Sequence, residues 1–338
     1  MQSNFKALGS TDISAIAGTN SFAGPWEVYN RLTKKLPDDD KPHLRIGRDI
    51  EWFVITDAFK HLDPYWLCRF GLEERCVETY TLKKEKARYF DAAHALRDSY
   101  ESNYGTKLCA GKVMGETPLF RSTPDGRVVS NPRAQRPVIT IEAKTAFYAD
   151  RQLWGNPLPT PEEAEEAPIT ESQVPAAYYD QAQWHMAATG TGICILPVIF
   201  DFTSNPVVYW VQRNSRRIRE LVWLGTEFWN SYIIGDATPP PDASDGMKLH
   251  LALQEVQSAD YIPAEDGDYD MVRQLFAARE AKKTAAAIEA EYQNRLRLRV
   301  VTAGASGISF DGEFKGRFNF KMNKSGKRIM SMKGLKAA

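Results

Sequence analysis

Neither sign of charge is in excess: 43 Lys and Arg balance 43 Asp and Glu in a chain of 338 residues. Global charge therefore recruits no polyanion, and any nucleic-acid affinity must come from basic residues sorted onto one surface. Cysteine is scarce and scattered, with Cys68, Cys76, Cys109 and Cys194 forming no CxxC pair. That pattern points to reduced thiols rather than a disulfide framework. No His or Cys group has the spacing of a structural zinc site. No apolar run approaches the roughly 18 residues of a membrane span, and the N-terminus lacks a charged-then-apolar leader. The expectation is a soluble, cytoplasmic protein without a membrane partner. An apolar fraction of 43% and a charged fraction of 25% at this length imply one large domain or two with an ample core.

The elements are read from periodicity and punctuation. Gly9-Ser10-Thr11-Asp12 opens a capped helix, Asn20 to Pro25 turns, and Pro25 starts a second helix. Gly47 to Phe59 is helical in pattern and contains Glu51; Leu82 to Glu101 is charged and helix-prone. Pro118 to Val129 reads as a hairpin about Asp125-Gly126, and Arg136 to Phe147 as a strand. Asn156 to Pro175, rich in Pro and Glu, reads as an exposed acidic loop. Pro175 opens a helix that Gly190 ends. Ile193 to Phe200 is a near-continuous apolar strand of the fully buried kind, followed by a strand at Val207 to Val211 and a helix from Ser215 to Tyr232. The alternation of strands and helices gives an α/β core. Pro239-Pro240-Pro241 marks a linker, which divides the chain into residues 1–236 and 246–338. Beyond it Val272, Phe276, Ile288, Tyr292 and Leu296 mark one long amphipathic helix. From residue 301 onward eight Lys and Arg outnumber two acids, with Phe314, Phe318 and Phe320 interleaved and a hairpin tip at Ser325-Gly326.

Chemistry concentrates on Val138–Thr145. Strand alternation puts Thr140, Glu142 and Lys144 on one side, and Ile139, Ile141 and Ala143 on the other. A carboxylate and an ammonium on an otherwise apolar strand are costly to bury unless something uses them. Mg²⁺ prefers oxygen ligands and keeps several waters, so two carboxylates, Asp125 and Glu142, suffice to site it, with the carbonyl of Ala143 as a third ligand. The metal polarises a scissile phosphate and acidifies a water, while Lys144 balances the developing charge. Against this stands the plain reading of a solvated Glu-x-Lys face and an ordinary Asp-Gly turn. Tyr178, Gln181 and His185 line one helical stripe; for His185 a packing or DNA-proximal role is preferred to a ligand role. Arg213, Arg216, Arg217 and Arg219 suit either phosphate contacts or a solvated face. Lys315, Arg317 and Lys321, among interleaved aromatics, suit DNA contacts.

In order along the chain, Gly9-Ser10-Thr11-Asp12, Gly47 with Glu51, Thr123-Pro124-Asp125-Gly126, Glu142-Ala143-Lys144 and Pro175-x-x-Tyr178-x-x-Gln181-x-Gln183 resemble the YqaJ-type viral recombinases. These are relatives of lambda exonuclease in the PD-(D/E)XK nuclease superfamily. The resemblance implies a restriction-endonuclease-like core, a mixed sheet flanked by helices, carrying a C-terminal helical and basic hairpin extension. By the same resemblance Asp125 and Glu142 are metal ligands, Lys144 the catalytic lysine, Glu51 an additional carboxylate and Gln181 an organiser of the water or metal shell. Ser10, Thr11 and Tyr178 fall among the DNA contacts. The implied activity is Mg²⁺-dependent resection of linear duplex DNA, 5′→3′, with Mn²⁺ as a substitute. The product is a 3′ single strand for an annealing protein, in phage-type recombination within a bacterial host. A trimeric ring is implied as well. The arginine that relatives carry before the Gly-Ser element has no counterpart, Lys6 being the only base nearby. A single cysteine follows Lys144, which disfavours an iron–sulfur cluster. A same-fold endonuclease, or an inactive DNA- or partner-binding module, is the competing reading.

Overall fold

The computed structural model describes residues 7–34, 42–77, 81–84, 88–90, 120–130, 133, 137–166, 171–200, 205–235, 237–243, 245–252, 262–311, 314–322 and 328–337. The chain divides into two units, Met1–Glu255 and Val256–Ala338. In the first, the strands are β1 (Thr81–Lys84), β2 (Arg88–Phe90), β3 (Phe120–Ser122), β4 (Gly126–Val129), β5 (Ile139–Ile141), β6 (Lys144–Ala146), β7 (Ile193–Phe200) and β8 (Val207–Gln212). The fold is mixed α/β about a central mixed sheet.

The centre of that sheet is β7, buried from its second residue to its last. A strand this apolar needs neighbours at both edges and cover on both faces. Antiparallel β8 takes one edge, while β5 and β6 run parallel along the other in one continuous register, Ile141 opposite Ile195 and Lys144 opposite Val198. The expected strand is therefore one ribbon, interrupted at Glu142-Ala143, where the Glu142 N–H still donates to the Ile195 carbonyl at 3.0 Å. Beyond β5 the sheet continues antiparallel through β4 to β1.

Alternation sorts the core. Ile139, Ile141 and Ala143 join Ile195 and Ile199 against Val54, Ile55 and Phe59 of the Pro42–His61 helix. The opposite face of β7, with Cys194, Leu196 and Val198, packs on Ala182 and Met186 of the Ala176–Thr189 helix. That helix starts after Pro175 and stops at Gly190, whose φ of 73° is the left-handed conformation glycine adopts without strain. A further cluster joins Ile13 and Ala15 of Ser10–Ile16, Trp184 and Ala188, and Ile218 and Leu221 of Ser215–Phe228.

Three expectations are corrected. The Thr123–Gly126 turn does not close a hairpin: β3 pairs with β2, whereas β4 is flanked by β1 and β5 and has no free edge for β3. The turn carries the chain from one sheet to another. The acidic loop contains a helix, Pro161–Glu166, begun by a reciprocal cap in which Thr160 and Glu163 each bond the other's backbone N–H. Leu82 lies in a strand rather than a helix, and residues 91–119 lie outside the described ones. Within the proline-rich stretch the Pro240 carbonyl accepts from Trp26 Nε1 at 2.9 Å.

In the second unit, Asp266–Thr302 is a 37-residue helix, followed by a three-stranded antiparallel sheet of Gly307–Asp311, Phe314–Met322 and Arg328–Ala337. Successive i+4 steps rotate by about 40°, so Val272, Phe276, Ile288, Tyr292 and Leu296 wind about this helix instead of forming one face. The Ser325-Gly326 tip lies outside the described residues. Among the described residues, no helix is long and apolar enough to cross a membrane.

Candidate active site

The ribbon and the Ala176–Thr189 helix meet as a ladder. Two strand residues rise about 6.7 Å and four helix residues about 6 Å, so alternate strand positions meet successive helix turns. Thr140 Oγ1 bonds Thr189 Oγ1 at 2.9 Å, Glu142 Oε2 lies 3.1 Å from His185 Nε2, and Lys144 Nζ donates to Gln181 Oε1 at 3.0 Å. The strand runs up as the helix runs down. The ring of Tyr178 lies 5.0 Å from Lys144 Nζ, close enough for cation–π attraction.

Within this ladder Lys144 Nζ donates to Glu142 Oε1 at 2.7 Å. Asp125, arriving from the sheet-switching turn, accepts the Ala143 N–H at 2.8 Å. The interruption in the ribbon is thus where the second carboxylate docks. Gly126 beside it is closely packed: a Cβ there would sit 3.3 Å from Ile55 Cδ1, which would have to shift by a few tenths of an ångström.

The charges are strongly coupled. Burial, then the negative charge of Glu142, raises Asp125 well above the ordinary 3.8, and Glu51 adds to the rise. Burial also works against Glu142, but Lys144 and then His185 outweigh it and lower that carboxyl to about 2. Burial disfavours the Lys144 ammonium, yet Glu142 and Asp125 overcome it and hold the amine protonated. Glu142 and Lys144 form an ion pair, with Asp125 as surplus negative charge in low dielectric. A divalent cation bound there would neutralise that surplus.

The donor set fits Mg²⁺. Its side-chain donors are carboxylate oxygens, hard like the ion, and Asp125 brings a second carboxylate beside Glu142 whose charge burial leaves uncompensated. Among the described residues no three His, Cys, Asp or Glu side chains form a metal cage. An ion that retains several waters needs only two carboxylates, here Asp125 and Glu142, with the Ala143 carbonyl and Glu51 as further candidates.

Other expected residues are distributed differently. Ser10 and Thr11 begin the helix that packs on Ala176–Thr189, and Thr11 is exposed. Arg217 does not stand free for phosphate: it makes a bidentate pair with buried Asp180, Nε to Oδ1 at 2.7 Å and Nη2 to Oδ2 at 2.8 Å. Arg213 donates to the Met186 carbonyl at 2.6 Å, tying down the end of the same helix. Arg216 remains on the surface, paired with Glu220. Lys315, Arg317 and Lys321 lie on Phe314–Met322 of the second unit, with Arg317 and Lys321 exposed.

Besides Asp180, which the sequence left unmarked, sequence reasoning missed two contributors. Ser122 Oγ lies 2.8 Å from His185 Nδ1, and Thr19 joins Arg217 on Asp180 through a 2.7 Å bond. The spacing of His185 four residues after Gln181 carried a signal for the first; nothing in the sequence pointed to Thr19. The DNA-proximal role for His185 gives way to a buried one, its side chain being 0% exposed.

No protein-family model matches the chain, and no curated protein matches it. Among solved structures it is similar to the alkaline exonuclease LHK-Exo from Laribacter hongkongensis. In the complex of that enzyme with dAMP the identity is 13%, with 68% of this chain and 89% of that chain covered and a TM-score of 0.38. A second LHK-Exo structure gives the same identity and coverage with a TM-score of 0.37. SSO0001 is 12% identical over 69% of this chain and 81% of its own, with a TM-score of 0.36.

Proposed function

We propose that the protein is a Mg²⁺-dependent exodeoxyribonuclease with a PD-(D/E)XK-type core that resects linear duplex DNA 5′→3′. The observation that carries this reading is the convergence of Asp125, Glu142 and Lys144 about the interrupted ribbon, with Asp125 on the Ala143 N–H at 2.8 Å and Lys144 on Glu142 at 2.7 Å. A charge trio buried at this cost has no structural purpose that apolar residues would not serve better.

When bound, Mg²⁺ supplies charge neutralisation at the phosphate and acidifies a water. Asp125 and Glu142 hold it, with the Ala143 carbonyl. Lys144 brings its ammonium to the attacking water and to the negative charge that grows on the phosphate. Gln181 fixes Nζ by its hydrogen bond, and the Tyr178 ring steadies the same cation. Glu51 adds negative potential beside Asp125 and serves the metal shell. Phosphate and base contacts come from exposed Arg216, Arg317 and Lys321. The second unit is an accessory extension, and enclosure of DNA by several copies focuses positive charge that a neutral chain otherwise lacks. The 3′ single strand left behind suits a single-strand annealing protein.

Digestion of linear duplex DNA labelled at one 5′ end tests the reading, with Mg²⁺, Mn²⁺ or EDTA and with closed circular DNA alongside. Metal-dependent release of 5′ nucleotides from linear DNA, with circles left intact, is expected. Cleavage of circles would make the enzyme an endonuclease. Binding without cleavage would reduce it to a DNA-binding module.

A further inference from the structure

We infer that His185 is a positioning residue for the Glu142 carboxylate, itself held in place by Ser122. The inference rests on the nuclease reading of the Asp125–Glu142–Lys144 cluster and assigns the inner side of that cluster a task. His185 is fully enclosed between the Ala176–Thr189 helix and the sheet, with Nδ1 2.8 Å from Ser122 Oγ and Nε2 3.1 Å from Glu142 Oε2. Nε2 and Oε2 are both buried without a hydrogen-bond partner, and the 3.1 Å between them is an ion-pair contact rather than an aligned hydrogen bond. Two buried polar atoms left over at this separation have only each other to satisfy them.

An ionised carboxylate has acceptors and no donor, so the ring must present an N–H at Nε2. In the neutral ring that assigns the hydrogen of the Ser122 hydroxyl to Nδ1. The two oxygens of Glu142 are thereby distinguished: Oε1 belongs to Lys144 on the wetter side, and Oε2 to His185 inside. A glutamate with one oxygen gripped from within loses most of its freedom to swing. Ser122 stands three residues before Asp125, so the chain of contacts also ties the segment bearing one carboxylate to the strand bearing the other. Partners of this kind, one step removed from a metal, set ligand orientation and thus affinity.

The test is Mn²⁺ binding to the metal-free full-length protein, followed by the electron paramagnetic resonance of free Mn²⁺, with thermal melts and end-labelled digestion in parallel. His185→Leu is expected to weaken Mn²⁺ about 10–100-fold, while kcat at saturating Mn²⁺ returns to within a few-fold of wild type. His185→Gln, whose carboxamide restores an N–H near the same place, should recover most of the affinity. Ser122→Ala should weaken Mn²⁺ by a smaller, several-fold factor. A folded His185→Leu with wild-type affinity, or a His185→Gln no better than Leu, overturns the inference. If the Leu variant does not fold, Ser122→Ala decides: a several-fold loss supports the role and unchanged affinity removes it. Wild-type protein that neither binds Mn²⁺ nor cleaves DNA brings down the nuclease reading, and this role with it. Wild-type protein that does both, beside an indistinguishable His185→Leu, removes the positioning role alone.

Discussion

Asp125 is the residue where function and stability conflict. Burial and the neighbouring carboxylate Glu142 raise its pKa, so without metal its ionised form destabilises the fold. Asp125→Asn can still accept the Ala143 N–H but carries no charge. The metal-free variant is expected to melt about 2–4 °C above wild type while losing Mg²⁺-dependent cleavage. The pH dependence follows from the direction of the shift. Below the ordinary value of 3.8 the acid is protonated whether folded or unfolded, and the difference between variants vanishes. It opens as pH rises towards the folded value and is constant above it. Differential scanning calorimetry across that range, with and without Mg²⁺, checks both parts; saturating metal should stabilise wild type only. Lys144→Ala has a different signature. Its loss should lower kcat about 10²–10³-fold and raise the Glu142 carboxyl from about 2, measured by single-turnover digestion and by titration of the metal-free protein.

At the scale of elements, the Ala176–Thr189 helix must hold one rotational setting for Gln181 and His185 to reach the ribbon. Its other side is clamped by Asp180, which takes Arg217 and Thr19 together. Asp180→Ala leaves the Arg217 guanidinium without its bidentate partner and is expected to cost about 3 kcal/mol in urea denaturation. Activity should fall further than unfolding explains, because the helix is free to turn. Much of this element was legible: Pro175, Gly190 and the Tyr178–Gln181–His185 stripe fixed its ends and functional face. The alternation of Val138–Thr145 likewise sorted Glu142 and Lys144 from the core. The partner of Arg217 was hidden, because a cationic run at a helix start reads the same whether phosphate or a buried aspartate receives it. The partners of β3 and β4 were hidden too. Asp-Gly specifies a turn, but only the competition of β1 and β5 for the edges of β4 decides that no hairpin forms. The helix at Pro161–Glu166 shows the opposite failure: its Thr160–Glu163 cap was present in the sequence, and acidic composition masked it.

For the whole molecule, every member of the Asp125–Glu142–Lys144–Gln181–His185 cluster belongs to Met1–Glu255. A chain ending at Glu255 is therefore expected to bind Mn²⁺ within about twofold of the full protein, by calorimetric titration. The second unit carries exposed Arg317 and Lys321 and a helix on which, among the described residues, only Val300 is buried. Its removal should weaken DNA binding and flatten the salt dependence of what remains, read by fluorescence anisotropy over a salt series.

The near match between strand and helix rise works like a vernier, and it gives the gene an uneven tolerance. Point substitutions at Thr140 or Thr189 disturb one graduation. Deleting or inserting a single codon between Thr140 and Lys144 reverses the ribbon's facing on one side of the change relative to the other, so that Lys144, alone or together with Glu142, turns from Gln181 and His185 into the apolar layer. Across any set of functional variants, length in that interval should be invariant even where letters are not.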